Sequence, residues 1–422
     1  MLDIKFIREN LDLVKHAATK KHVAIDLDEL LAVDDRRRAL LGEVESLRAR
    51  QNDMSETIAR AGNEERERLI AEMRPVKETL QSKEKELEDV ARQWQLLMVQ
   101  VPNVPDPSVP DGESDADNRE IRTWGEIPHF SFTPKSHVEL MQGLGMADFE
   151  RGTKAAGFRG YFLRGDGALL NYAIWHFVLD HFTKKGGFTP LIVPSLVKRV
   201  AFLGTGYLPQ GEEDLYKTQD DDFLAGTGEV ATMAYYMNEV VSKEELPLKF
   251  LSFSPCFRRE AGSHGKDTKG LMRVHEFFKF EQVVLCEASH EESVKRHEEL
   301  TQNAEDLLQA LNIPYHVVVN CGGDLGLGQV KKYDIESWVP SEGKYRETHS
   351  SSYFHDFQTR RLNIRYRDEN GKLQYVHSLN NTALATPRIL ISLIENNQRE
   401  DGSVSVPEAL VPYLGKGTIA RS

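Results

Sequence analysis

Arg258 and Glu260 stand in the run Phe257-Arg258-Arg259-Glu260, and Phe277, Lys279 and Glu281 stand in Arg273-Val274-His275-Glu276-Phe277-Phe278-Lys279-Phe280-Glu281. The two runs read as strands of a hairpin joined by a loop over residues 261–270, which carries three glycines and two lysines. In extended chain alternate side chains share a face. Phe277, Lys279 and Glu281 are therefore expected on one face, with Arg258 and Glu260 across the hairpin. An Arg–Glu pair, an aromatic ring and a further carboxylate are costly to bury together unless a ligand completes them. The chemistry on offer is charge recognition of a ligand; a surface hairpin with satisfied salt bridges is the plainer alternative. No GxxxxGK[ST] loop and no GxGxxG between strand and helix occurs, which argues against P-loop and Rossmann sites.

The elements that must position these groups follow from the pattern. The chain has 422 residues, 40% hydrophobic and 28% charged, so it can bury a sizeable core and should form two or three domains. A formal net charge of −13 disfavours indiscriminate binding to nucleic acid or membrane surfaces. Three cysteines without CxxC spacing carry no metal signature and fit a reducing compartment. With no apolar run near the ~20 residues that span a bilayer and no targeting pattern, a cytoplasmic protein without membrane association is expected.

Up to about residue 101 the chain is poor in glycine and proline, and its apolar residues step alternately by three and four. One arm reads Val33, Leu40, Val44, Leu47, Met54, Ile58 and Ala61; the other reads Leu69, Met73, Val76, Leu80, Leu87, Val90, Trp94, Leu97 and Val101. This is the seam of an antiparallel helical hairpin turning at Gly62-Asn63. Pro75 should kink the second helix or follow its start. Residues 28–101 hold 13 basic and 17 acidic side chains, so charge alone does not choose between an oligomerisation zipper and a partner-binding arm. The proline-rich residues 102–118 read as a linker, and residues 119–422 as an α+β body around a largely antiparallel sheet. Strands are expected over 250–253, 277–285, 315–320, 353–366 and 374–379, with a hairpin turn at 368–371. Helices are expected over 169–183, 230–241, 289–311 and 388–397.

Several segments together resemble the class II aminoacyl-tRNA synthetases in their seryl-tRNA synthetase form. The Phe257-Arg258-Arg259-Glu260 run and its GSxGxDTxGLxRVHxF continuation resemble motif 2 of that family. Thr227-Gly228-Glu229 resembles the serine-binding TxE loop. Glu347-Thr348-His349-Ser350 resembles the ExxS segment, and Asp356-Phe357-Gln358-Thr359-Arg360-Arg361 the DFQxRR segment. Residues 377–398, from His377-Ser378-Leu379-Asn380 through Arg388, resemble motif 3, and residues 188–194 with Gly204-Thr205-Gly206 resemble motif 1, the dimer-forming motif. The resemblance spans nearly the whole chain and implies an antiparallel-sheet catalytic domain with a coiled-coil tRNA arm, in the bacterial form.

It also implies roles. Arg258 would bridge the serine carboxylate and the α-phosphate of ATP; Glu260, Val274 and Phe277 would hold the adenine. Arg388 would reach the terminal phosphate, and Glu347 with Ser350 would serve ATP and Mg2+. Thr227 and Glu229 would take the α-ammonium of L-serine, and Glu281 with Thr382 its hydroxyl. The loop 262–270 would order over ATP and the tRNA acceptor end. The implied partners are serine tRNA, met at its long variable arm and acceptor end, and a second copy of the chain as a homodimer. His349, Tyr353, Asn381 and Pro387 depart from the commoner pattern, and bear on the ATP geometry around His349. A non-catalytic RNA-binding or regulatory module on the same scaffold is the alternative; retention of Arg258, Glu281 and Arg388 disfavours it.

Overall fold

The computed structural model describes residues 1–262, 265 and 267–421. One compact unit comprises Leu2–Thr19 and Val23–Pro102; the other comprises Met1, Lys20–His22 and the chain from Asn103 onward.

Four helices build the first unit: α1 (Ile4–Glu9), α2 (Leu11–Lys20), α3 (Leu27–Arg60) and α4 (Asn63–Met98). Asp26 caps α3 by accepting from the Glu29 amide. Every apolar seam position expected on the two arms is buried or half-buried, as are the polar interruptions Arg37, Gln51 and Lys83. Arg37 reaches that environment by laying its guanidinium 4.5 Å over the Trp94 ring. Helix α4 runs through Pro75, which stands well past the helix start on an exposed face. Helices α1 and α2 were invisible to the heptad reading because they are short. Arg8 of α1 and Arg37 converge on Asp34, whose carboxylate is 1% exposed. Burial pushes that carboxyl up, but the two guanidinium partners more than offset this and hold it below its ordinary range.

The second unit is organised by an eight-stranded sheet. Its strands are β1 (Arg119–Trp124), β2 (Thr189–Ile192), β3 (Leu248–Phe257), β4 (Glu276–Cys286), β5 (Tyr315–Val319), β6 (Lys331–Val339), β7 (Lys344–His355) and β8 (His377–Thr386). They lie in the order β1-β5-β6-β7-β8-β4-β3-β2, antiparallel throughout except for the β2–β3 pair. Three helices cover it with apolar stripes at helical spacing. These are α5 (Asp166–Lys185), through Leu170, Ile174 and Val178; α7 (His290–Ala310), through Leu300, Ala304 and Leu307; and α9 (Arg388–Asn396), through Ile389, Leu390 and Leu393. Two shorter helices, α6 (Glu229–Ala234) and α8 (Phe357–Leu362), are joined by a hydrogen bond from Gln358 to Glu229 at 2.7 Å. Among the described residues no helix is long and apolar enough to cross a membrane.

Two expectations are corrected. Residues 353–366 do not form one strand: β7 ends at His355, whose φ of 49° breaks the extended run. Helix α8 follows, steadied by Arg360 bonding Asp356 at 2.7 Å and ended by Asn363 in the left-handed region. The turn at 368–371 survives, but it joins only the short strands Arg365–Arg367 and Leu373–Tyr375 of a separate sheet. The helix expected over 230–241 stops at Ala234, because Asn238 at φ 67° turns the chain and Val240–Val241 pairs in parallel with Arg365–Tyr366.

Near the β1 edge, His316 lies between Glu120 (2.8 Å) and Glu336 (2.7 Å) and stacks on Tyr345 with ring centroids 4.1 Å apart. Burial lowers its pKa, but the Glu336 and Glu120 carboxylates outweigh burial and leave it raised. A raised histidine stabilises the fold fully below its unfolded value near 6.5, and that stabilisation fades as pH rises through the folded value. Wild type is therefore expected to lose roughly 1–2 °C of Tm relative to His316→Gln between pH 6 and 9. A constant difference in Tm across that range would remove His316 as the cause.

Candidate active site

The face of β4 that the pattern singled out forms the floor of a cleft of about 250 Å³. Phe277, Lys279 and Glu281 line it together, opposite Cys256, Ser254 and Ser252 of β3 in register. Nine of the eleven nominated side chains line the same cleft: Arg258, Glu260, Val274, Phe277, Glu281, Glu347, Ser350, Thr382 and Arg388. Thr227 and Glu229 lie one hydrogen bond behind its wall, through Lys279 and Tyr207.

Arg258 and Glu260 reach the cleft by a different route from the expected one. Strand β3 ends at Phe257, so they do not share a strand face, and Glu260 adopts φ 55° in the loop. The Arg258 amide still donates to the His275 carbonyl at 3.0 Å. Its guanidinium donates to the Gly226 carbonyl at 3.3 Å and sits 5.3 Å from the centre of the Phe277 ring. A Cβ at Gly226 would stand 3.2 Å from Arg258 Cγ, so glycine gives the guanidinium room. Glu260 accepts from Arg273 at 3.2 Å and lies 3.8 Å from Arg159.

A β-bulge decides the opposite wall. The β6–β7 register slips between Ile335 and Glu336, so the adjacent Glu347 and Thr348 both line the cleft, followed by Ser350 and Ser352. His349 points to the other face. It is 1% exposed, accompanied by Thr348 Oγ1 at 2.8 Å, and burial lowers its pKa to about 4, so it stays neutral. Asn381 sits in extended β8, with its Oδ1 accepting from Gln282 at 2.7 Å, so no left-handed backbone is required there. Tyr353 is buried with its hydroxyl on Asp106 at 2.8 Å. Of the departures, only Pro387 lines the cleft.

The charges are arranged in compensated sets. Burial raises the Glu281 carboxyl, against the opposing pull of Lys279, whose Nζ is 2.5 Å away. Thr382 pairs with Glu281 across β4 and β8, its Oγ1 3.5 Å from the carboxylate. Burial lifts Glu229 to about 6, although Gln358 donates to it at 2.7 Å and Tyr207 at 3.1 Å. Burial also pushes Glu347 up, but the cations Arg388, Lys332, Arg258 and Arg273 outweigh it and leave the carboxyl below its ordinary range. Arg388 donates to the Met272 carbonyl at 3.1 Å and to the Glu347 carbonyl at 3.2 Å. Among the described residues no three His, Cys, Asp or Glu side chains form a metal cage. A carboxylate half-open to the cleft and a nearby hydroxyl, Glu347 and Ser350, suit instead a hard ion that keeps most ligands from phosphate and water.

The sequence reading gave no role to Lys279, Tyr207 or Gln358. Lys279 had a signal in its alternation with Phe277 and Glu281. Gln358 stood in the DFQxRR segment, but nothing there pointed to Glu229, 129 positions away, and Tyr207 had no signal. Of the loop 262–270, residues Ser263, His264 and Lys266 lie outside the described residues. Nearby, Asp267 accepts from Arg273 at 3.0 Å and from Arg346 at 2.7 Å.

The antiparallel sheet flanked by helices, with a charge-compensated cleft on its face, is the core of a class II aminoacyl-tRNA synthetase, as the matches to known proteins establish. The model for the tRNA synthetase class II core domain (G, H, P, S and T) matches residues 216–397. A prolyl-tRNA synthetase from Giardia lamblia, 16% identical, shares the fold at a TM-score of 0.57 over 67% of this chain and 58% of that one. The model for the seryl-tRNA synthetase N-terminal domain matches residues 1–105. A serine–tRNA ligase of Deinococcus radiodurans is 50% identical over 416 residues, 98% of each chain. That of Thermodesulfovibrio yellowstonii is 45% identical over 422 residues, 98% of this chain and 99% of its own. The crystal structure of seryl-tRNA synthetase from Pyrococcus horikoshii complexed with ATP superimposes at a TM-score of 0.91, with 40% identity over 100% of both chains. The chain belongs to the seryl-tRNA synthetase family.

Proposed function

We propose that this chain is a serine–tRNA ligase that joins L-serine to the α-phosphate of ATP and passes the seryl group to the 3′ end of serine tRNA. A serine carboxylate oxygen attacks the α-phosphorus, the bond to the bridging oxygen breaks, and pyrophosphate leaves. The nucleophile is already an anion, so no general base is required. Position and charge stabilisation carry the step. A ribose hydroxyl of the tRNA then attacks the carbonyl carbon and AMP leaves. The single observation that carries this reading is the convergence of nine nominated side chains, remote in sequence, on one cleft.

Within that cleft Arg258 bridges carboxylate and α-phosphate, its planar fork suited to two anions at once. Phe277 lies beside it to stack on adenine, with Glu260 and the Val274 backbone on the base edge. Arg388 takes the terminal phosphate. Mg2+, held by Glu347 and Ser350, would neutralise the phosphates when bound. Glu229 and Thr227 take the substrate ammonium; Glu281 and Thr382 take its hydroxyl. A pocket built to bond a hydroxyl rejects alanine by as much as ~10⁴, since its polar groups would lose their partner.

Residues 1–101 form the arm for the long variable stem, 102–118 a linker, and 119–422 the catalytic and dimerisation domain. Exposed Ile192 on the sheet-edge strand β2, with exposed Leu169, Tyr172 and Leu179 on α5, supports a homodimer. A cytoplasmic site follows from ATP and tRNA as substrates.

Serine-dependent exchange of pyrophosphate into ATP, with alanine, threonine and glycine as controls, tests the reading. Exchange with serine alone is expected; exchange with another amino acid would overturn the substrate, and none the activity. Glu229 must be ionised to hold an ammonium, and its carboxyl titrates at about 6. The KM for serine is therefore expected to rise as pH falls through that value, approaching tenfold per unit, with the KM for ATP as control. A serine KM constant from pH 7.5 to 5.5 would remove Glu229 from the ammonium site.

A further inference from the structure

Lys279 is 6% exposed on the central strand β4, and it lines the cleft. Its Nζ lies 2.5 Å from Glu281 Oε2 and donates to Thr227 Oγ1 at 2.8 Å. It thus ties together the two halves of the serine pocket: the Thr227–Glu229 turn at the start of α6, and the Glu281–Thr382 pair across β4 and β8. An ammonium carries three N–H donors, and these two partners occupy two of them. We propose that Lys279 is a specificity-determining residue for the serine side chain, its ammonium donating to the substrate hydroxyl while holding Glu281 as the acceptor of that hydroxyl's proton. This rests on the serine-activation reading and deepens it.

The charge balance supports the assignment. A serine zwitterion brings one ammonium, matched by Glu229, and one carboxylate, matched by Arg258. Glu281 is left with no substrate charge to neutralise it, and Lys279 is the cation that does so inside the wall. The side-chain end of the pocket is then neutral overall yet offers both a donor and an acceptor, the complement of a hydroxyl. Alanine has neither function. The groups facing Glu281 from the surrounding elements are Lys279 on β4, Cys256 on β3, Arg258 after it, Thr382 on β8, Glu229 on α6 and Tyr207. Arg258 is assigned to the substrate carboxylate, so removing Lys279 leaves Glu281 buried without a dedicated cation, and its protonated form is favoured to higher pH.

The test is pyrophosphate exchange by the full-length protein carrying Lys279→Met, with serine, alanine and ATP varied separately at pH 7 and pH 9. The expected result is a serine KM raised roughly 10–100-fold with the ATP KM little changed, the loss of a hydrogen bond to a charged group. Discrimination against alanine should weaken at pH 7 and recover in part at pH 9, because without Lys279 the Glu281 carboxyl is held protonated to higher pH than in wild type; the recovery should be smaller in wild type. A serine KM and alanine discrimination within twofold of wild type would overturn the proposal, as would an equal rise in both KM values. Should Lys279→Met not fold, Lys279→Gln and Lys279→Arg carry the comparison. Gln, a donor without charge, is expected to show the pH-dependent discrimination against alanine, and Arg is not; identical profiles for the two would overturn the role. Wild type without serine-dependent exchange would overturn the activation reading itself, whereas unaltered variants beside an active wild type would overturn only the role of Lys279.

Discussion

Arg258→Ala is expected to lower serine-dependent pyrophosphate exchange by about 10³-fold or more while the fold stays intact. The guanidinium is held by the Gly226 carbonyl and by the Phe277 ring, and its backbone is tied to His275. It is therefore presented to the cleft without a competing carboxylate clamped on it, unlike Arg273, which is engaged by Glu260 and Asp267. Negative charge from a carboxylate and a phosphate crowds at the reacting centre, where a preorganised cation stabilises the transition state more than the separate ground states. Arg258→Lys keeps the charge but loses the planar fork, and is expected to recover only part of the rate. The Tm should move by no more than a few degrees, since the backbone pairing to His275 needs no side chain. Exchange within tenfold of wild type would remove Arg258 from the bridging role.

Deleting residues 36–92 and closing the hairpin with a short turn is expected to leave serine activation near wild type and to cut tRNA charging at least 100-fold. The junction is geometrically reasonable: Arg37 stacks on Trp94, and Gln93 donates to Glu29, so the two cut ends are neighbours in the hairpin. The Asp34 ion cluster with Arg8 lies on the retained side, although its Arg37 member is removed. Phosphate contacts along an arm of mixed charge should also make charging by the intact protein fall with added salt more steeply than exchange does. Equal loss of activation and charging in the deletion would contradict the arm's assignment to tRNA.

Much of the helical hairpin was readable because a heptad seam is local: each apolar residue reports its own face, and burial follows spacing from Leu40 to Val90. The same holds for Phe277, Lys279 and Glu281, whose common face follows from strand alternation alone. The failures fall where a long-range contact or a single dihedral overrides composition. Residues 353–366 are aromatic and β-branched enough to read as strand, yet His355 at φ 49° turns the chain out of the sheet, and burial of Phe357 and Leu362 favours the helix. Glu347 and Thr348 line one wall only because β6 and β7 slip by a residue, which strict alternation forbids.

Residue types and their order along the chain were enough to define the family resemblance, the candidate ligands and the periodic elements, because motif chemistry and amphipathic spacing are properties of short segments. Pairing was decided by the tertiary structure. Lys279 with Thr227, Gln358 and Tyr207 with Glu229, and Thr382 with Glu281 are partners separated by 22 to 129 positions. Such partners meet only when a sheet and the helices around it close on one another. The electrostatic character of the cleft follows from that closure: burial raises carboxyls such as Glu229 and Glu281, and the partners brought beside them, the Gln358 amide for Glu229 and the Lys279 ammonium for Glu281, oppose the rise.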